Sequence, residues 1–394
     1  MKRRTILKTL AALPMANLAG NLWASPATQS RLLVVFLRGG YDAANLLIPI
    51  SSNFYYEARP NLAIARPGTE MTAALPLNAD WGLHPALRDS IYPLYQQGQA
   101  AFIPFAGTED LSRSHFETQD TIELGQAADH SRNYRSGFLN RLATTLNQRG
   151  AMAFTDQMPI ILQGPAPVAN STLRSIGKPA LDARESSIIA AMYHGTPLAS
   201  QVDAGFVVRD DVMREMASEM EGASRNAISA KGFALEAQRM ARLMKDKYRI
   251  GFVDVGGWDT HVGAGAATGY LAGRFDELGR GLAGFAQEMG SDWYNTVVVV
   301  VSEFGRTFRE NGNRGTDHGH GSVYWVLGGG IKGGRVVGEQ IRIEQATLFQ
   351  NRDYPVLNEY RALLGGLFAR QYGLSAAQIE TIFAGVKSRD LALL

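Results

Sequence analysis

Thr296-Val297-Val298-Val299-Val300-Val301 is a threonine followed by five valines, and the polar segment Ser302-Glu303-Phe304-Gly305-Arg306 follows at once. β-Branched side chains suit a pleated backbone, and an apolar run without alternation belongs to a strand covered on both faces. Residues 32–37, LLVVFL, read the same way and are closed by Arg38-Gly39-Gly40. Working outward, residues 100–105, 159–162, 249–254 and 323–327 are further short strands. Helices are expected over 85–97, with Pro85 in its first turn, over 116–124, ending at Gly125, and over 271–289, 359–372 and 376–386. Residues 182–247 are rich in Ala, Met, Glu and Arg and read as a mostly helical insertion. Strands alternating with helices predict an α/β domain over residues 28–394, with a largely parallel central sheet sandwiched by helices. In such sheets ligands sit at the carboxyl ends of the strands, so the residues just after each apolar run carry the functional question.

The N-terminus has its own pattern. Lys2-Arg3-Arg4-Thr5-Ile6-Leu7-Lys8 precedes an apolar stretch from Leu10 to Ala19, and small residues follow. That stretch, about ten residues, is half the length a bilayer span needs. Residues 1–27 therefore read as an export signal cleaved after Ala24 or Ala27, and the arginine pair resembles the twin-arginine type. An ordinary secretory signal is the competing reading. The expected location is the periplasm or the exterior, with the twin-arginine translocase as the partner during export. This segment holds four of the 39 basic residues and no acid, which leaves 35 basic against 37 acidic in the remainder. No basic stripe argues for nucleic acid, and no later segment reads as a stable membrane span. The chain has no cysteine, which excludes disulfides, thiolate catalysis and zinc–thiolate sites. Any metal site must use His, Asp, Glu and hydroxyls.

Polar residues follow each strand. Asp42 comes after the first, in Arg38-Gly39-Gly40-Tyr41-Asp42, either as a turn cap or as a ligand. Ser112-Arg113-Ser114-His115 comes after the second and leads into a helix. Ser114 there is an N-cap or a nucleophile, because free N–H groups and the helix dipole favour an alkoxide and an incoming anion. Arg113 and His115 add donors. Asp259-Thr260-His261 lies after the strand at 249–254, Glu303 and Arg306 lie after the valines, and Asp317-His318-Gly319-His320 precedes the strand at 323–327. Carboxylates and imidazoles at several strand ends supply N/O ligands for a divalent ion, zinc first, with manganese, magnesium or calcium as alternatives.

FLRGGYDAAN, SRSHFETQD, GGWDTH, SEFGRT and DHGHG, in that order behind the twin-arginine start, resemble an exported bacterial family catalogued as domain of unknown function 1501. The resemblance covers nearly the whole chain and places it in the alkaline phosphatase and sulfatase superfamily. It implies an alkaline-phosphatase-like fold, a metal site and hydrolysis of phosphate or sulfate esters by a hydroxyl nucleophile. On that basis Asp42, Asp259, His261, Glu303, Asp317, His318 and His320 are the implied metal ligands. Ser114, with Ser112 as fallback, is the implied nucleophile, with Arg113, His115 and Arg306 holding a small anionic ester. Two departures stand out. One residue separates Asp259 from His261 where three-residue spacing is usual, and Phe304 replaces a ligand histidine. The alternative is a catalytically degenerate member that binds or assembles exported material; the chain has no Gly-x-Ser-x-Gly elbow for a plain serine hydrolase.

Replacing Arg3 and Arg4 together by lysine is expected to strand the precursor in the cytoplasm. Fractionation of expressing cells checks this, and unchanged export of the double variant refutes the twin-arginine reading.

Overall fold

The valine strand and the LLVVFL strand lie side by side. The computed structural model describes residues 29–127, 131–147, 150–173, 183–208 and 232–394. The expected export signal lies outside the described residues, as do residue 182 and residues 209–231 of the expected insertion. In chain order the strands are β1 (Arg31–Leu37), β2 (Leu47–Pro49), β3 (Leu75–Pro76), β4 (Trp81–Leu83), β5 (Ala100–Gly107) and β6 (Ala151–Ala153). Then come β7 (Val168–Asn170), β8 (Ile250–Val255), β9 (Thr296–Ser302), β10 (Ser322–Leu327), β11 (Arg335–Val336) and β12 (Asn358–Glu359). Among the described residues they form a nine-stranded sheet in the order β11-β5-β10-β9-β1-β8-β6-β7, with β12 also on β5; β2, β4 and β3 make a small separate sheet.

β1 is parallel to both β8 and β9, with Val34 between Phe252 and Val299. Every pairing in the large sheet is parallel except those of β10, which runs antiparallel to β9 and β5. The protein is thus a mixed α/β fold with a mostly parallel central sheet. Alternate residues of the central strands face opposite layers. Leu33, Val35, Val298 and Val300 join one core with Met240, Met244, Phe275 and Phe285, which come from α4 (Phe233–Asp246) and α5 (Tyr270–Met289). Leu32, Val34, Val297 and Val299 join the other with Ile122, Leu139, Phe368 and Ile382. These belong to α1 (His115–Leu124), α2 (Phe138–Thr145), α6 (Tyr360–Tyr372) and α7 (Ala376–Ile382). Of the helical stretch 182–247, α4 is therefore part of a core layer, whereas α3 (Ala183–Tyr193) leaves Ile188 and Met192 exposed. No helix among the described residues is long and apolar enough to cross a membrane.

Two expected elements differ. Residues 159–162 are a short 3-10 turn, Ile160–Leu162, not a strand. Pro159 has no N–H to give a ladder, and the Ile161 amide donates instead to the Glu123 carboxylate at 3.0 Å. The edge positions are taken by β6 and β7. The expected helix at 85–97 is split into a 3-10 turn, Pro85–Leu87, and a helix, Ile91–Gln96. The buried His84 imidazole caps the turn by accepting from the Ala86 amide.

The loop after β1 carries a correction. Asp42 is fully buried, and its carboxylate meets the equally buried Arg59 guanidinium at 2.6 Å. Arg59 also donates to the Phe308 and Thr307 carbonyls at 2.6 and 3.1 Å. Asp42 therefore neutralises a core arginine through Oδ2 and stands apart from the His115–Asp259–His318 cluster. Breaking such a pair leaves an uncompensated buried charge. Asp42→Ala is expected to cost about 3–5 kcal/mol in urea unfolding, independent of added metal. A loss seen only when metal is present would restore Asp42 to the metal site.

Candidate metal centre

Because β10 is antiparallel, its first residue, Ser322, pairs with Ala106 near the end of β5. The turn at 317–321 therefore arrives at the same edge as the carboxyl ends of β1, β8 and β9. The loop after β1 must pass close to its neighbours there. Gly39 (φ +124°) has room for no Cβ, which would come within 2.6 Å of the Asp259 nitrogen, and one on Gly40 would strike the Phe304 ring.

Glu303 anchors this edge. Its side chain is buried, and Oε1 accepts from the Gly39 amide at 2.8 Å, from His115 Nδ1 at 2.9 Å and from Gln119 Nε2 at 2.9 Å. Burial pushes its pKa up, but these donors outweigh burial and hold it below the usual carboxylate range. Glu303 therefore stays ionised and orients His115 rather than facing an ion itself.

Three imidazoles meet above it. Each Nδ1 faces an acceptor: His115 faces Glu303, His261 faces Asp317 Oδ1 at 3.0 Å, and His318 faces the Arg113 carbonyl at 3.0 Å. Those partners suit a tautomer with the proton on Nδ1 and the lone pair on Nε2. The Nε2 atoms turn inward. His261 Nε2 lies 3.1 Å from His318 Nε2 and 3.0 Å from Asp259 Oδ1. Asp259 Oδ1 is 3.4 Å from His318 Nε2, and Oδ2 is 3.5 Å from His115 Nε2. Donor atoms of His115, Asp259 and His318 all fall within 4.8 Å of one another. Two imidazole lone pairs at contact distance repel unless a proton or a cation lies between them. Ligands at about 2.0–2.1 Å from a tetrahedral zinc sit about 3.3 Å apart, the scale of these separations. The donor set fits a zinc-type ion.

Electrostatics agree with a cation held by a preset carboxylate. Burial raises the Asp259 pKa, but the hydrogen bond from Arg306 Nη1 at 2.7 Å reverses the shift and keeps the group ionised. Burial, then the nearby His115 and Arg306 charges, lowers the His318 pKa, which favours the neutral ligand form. His115 differs: its bond to Glu303 raises its pKa and favours the protonated form, whose proton an ion would have to displace. Phe304, where a ligand histidine was expected by resemblance, is buried and packs 4.9 Å from the His115 ring and 5.1 Å from the His318 ring. It walls the imidazoles in.

The other expected residues fall around this centre in different roles. Asp317 binds His261 and accepts from Asn311, so it stands behind a ligand. His320 is corrected: it packs 5.1 Å from Phe349, and burial lowers its pKa to about 4. It makes no contact with the three imidazoles. Arg113 is engaged by Asp353 at 2.7 Å and by Gln350, leaving its carbonyl for His318. Arg306 is buried on Asp259, Thr316 and the Gly39 carbonyl. The Arg306 guanidinium is therefore spent inside the scaffold, whereas Arg113 engages Asp353 and Gln350 through Nε and Nη2 only. Ser112 Oγ accepts from the Ser114 amide and pairs with Thr118. Ser114 is the N-cap residue of α1, yet its side chain makes no capping hydrogen bond. His115, expected as a catalytic donor, is a metal-ligand candidate instead. Gln119 went unnoticed, though His115 and Gln119 stand four apart and so share a helix face.

The family model described as a protein of unknown function (DUF1501) matches residues 29–383. The chain belongs to the DUF1501 family. No curated protein matches this DUF1501 chain. Among solved structures it is similar to Ps i-CgsB in complex with k-i-k-neocarrahexaose, at 9% identity and a TM-score of 0.39, over 89% of this chain and 73% of that one. The structure of Ps i-CgsB without that ligand gives 9% identity and a TM-score of 0.35 over the same shares.

Zinc added to metal-free protein is expected to raise Tm. An ion at a hundredfold excess over its Kd contributes about 2.7 kcal/mol. His318→Ala or Asp259→Ala should remove most of that shift, and His320→Ala should keep it. Equal shifts for His318→Ala and the parent would refute the cluster as a metal centre.

Proposed function

We propose that this protein is a metal-dependent hydrolase of phosphate or sulfate esters, with Ser114 as the nucleophile. The observation behind this reading is the set of inward-facing Nε2 atoms of His115, His261 and His318 around Asp259, next in sequence to a helix N-cap serine whose hydroxyl is uncapped. The order of motifs, which resembles that of the alkaline phosphatase and sulfatase superfamily, supports the same class. Three imidazole nitrogens and one carboxylate favour zinc over magnesium or calcium, which prefer oxygen ligands.

A divalent ion held by His115, His261, His318 and Asp259 would supply Lewis-acid polarisation of the ester oxygen. The chain does the rest. Ser114 Oγ would form the bond to phosphorus or sulfur as the bond to the ester oxygen breaks, the serine proton passing to the leaving alcohol, and water would then hydrolyse the seryl ester, returning a proton to Ser114. The open N–H groups at the start of α1 favour the anion. Glu303, Asp317 and the Arg113 carbonyl keep the three rings in one tautomer through the cycle. The segment from Lys2 to Lys8 supports twin-arginine export, which puts this chemistry in the periplasm.

A second reading has one observation in its favour. Three imidazoles and one carboxylate stand together at this edge, and an ion that took all four would have no open position, as in structural zinc sites. On that reading the chain is catalytically degenerate and binds or assembles exported material.

Ser114→Ala separates the two. In the zinc-loaded protein it is expected to abolish turnover of p-nitrophenyl phosphate or sulfate while the Tm shift with zinc survives. A Ser114→Ala variant working at the parent rate removes Ser114 from the mechanism. A parent protein inert toward both esters favours the degenerate reading.

A further inference from the structure

A second feature opens on the same sheet edge. Beyond Gln119, a cavity of about 570 Å³ lies over the ends of β1, β8 and β6, lined by Arg38, Gln119, Glu123, Asp156, Asp254 and Gly256 among others. None of the cluster's imidazoles lines it, and the two are joined through Gln119. Gln119 donates to the Glu303 oxygen that also holds His115, and Gly256 precedes Asp259 by one short turn. One turn of α1, about 6 Å of rise, separates His115 from Gln119.

Arg38 is held flat in this cavity. Nε donates to Asp254 Oδ2 at 2.6 Å, Nη1 to Gln119 Oε1 at 2.8 Å, and Nη2 meets Glu123 Oε1 at 2.9 Å. Of five guanidinium N–H groups, three are engaged and two remain. The Arg38 and Asp254 side chains are 26% and 29% exposed, so the pair is reachable from solvent. Spare donors on Arg38 stand beside a spare acceptor, Asp254 Oδ1. Neighbouring hydroxyls use such a pair well, one oxygen accepting while the other donates. An anion there meets Glu123, Asp156 and Asp254, which repel it.

The geometry points to this cavity as a subsite for a neutral, polyhydroxylated ring, the alcohol portion of the ester whose acid group lies at the His115–His318 centre. Arg38 and Asp254 are its specificity-determining residues. The inference rests on the ester-hydrolase reading for its catalytic meaning, but its binding content stands apart.

The test uses zinc-loaded, full-length processed protein and equilibrium binding followed by ligand-observed NMR. The probes are glucose 6-phosphate and glucose 6-sulfate, against p-nitrophenyl phosphate and p-nitrophenyl sulfate. The glucose esters should bind at least about tenfold more tightly than the aryl esters, with saturation reaching ring protons remote from the ester. Asp254→Asn keeps an acceptor for Arg38 Nε, and Gln157→Trp places bulk at the exposed mouth of the cavity. Each should weaken the glucose esters about tenfold and leave the aryl esters within about twofold. Glucose esters bound no better than aryl esters, or unmoved by both variants, overturn the subsite. Binding is read without turnover, so an inactive protein with the stated preference loses the hydrolase and keeps the subsite. An active protein without that preference does the reverse.

Discussion

One buried carboxylate holds the functional edge together. Glu303 sits where the valine strand ends, with no solvent to stabilise its charge. It is ionised only because Gly39, His115 and Gln119 converge on a single oxygen and Ser302 reaches the other at 2.9 Å. The donors come from three elements: the loop after β1, α1 through its first and second turns, and β9 itself. A carboxylate with this many donors is worth more than the sum of separate bonds, and losing one leaves a charge exposed to a low-dielectric interior. The positions of the first loop, the helix and its histidine are thus coupled through one atom.

From that anchor the centre builds outward in layers. Glu303, Asp317 and a backbone carbonyl set three ring orientations, and Arg306 sets the carboxylate of Asp259. Phe304 closes the apolar side. The arginines that a sequence reading offers for anion recognition are inside this scaffold. Arg306 is buried, and Arg113 has Asp353 as a partner. Arginine has five donors in a rigid fork, and a folded chain often uses them on its own carbonyls and carboxylates first.

Much of this was legible in the residues, for identifiable reasons. Apolar runs without alternation announced β1, β5 and β9, because a strand covered on both faces leaves no polar position. The strand-end motifs with Asp259, His261 and His318 were legible because parallel sheets gather function at that edge. The 3-10 turn at Ile160–Leu162 was not, since a short apolar run has no period and the Glu123 bond that diverts it is non-local. Asp42 was misread for a related reason. Its partner Arg59 lies 17 positions away, and nothing in the local pattern distinguishes a carboxylate that neutralises a core arginine from one that meets an ion. The contact that directs the His115 ring was not legible, because its partner Glu303 lies 188 positions later.

The reversed strand β10 has a bearing on how the molecule comes into being. It fills the sheet between β9 and β5, so its pairing joins residues near position 100 to residues past 320. His318 reaches His115 only when that strand has docked. Contacts of such sequence separation form late, because a long loop must close before any bond rewards it. A nascent chain still emerging from the ribosome therefore holds His115 apart from the neighbouring Asp259 and His261, with no His318 to complete the cluster. On the proposed metal-site reading, capture of an ion and completion of the sheet would be one event, and an ion in place would certify that synthesis and folding had both reached the far side of the molecule.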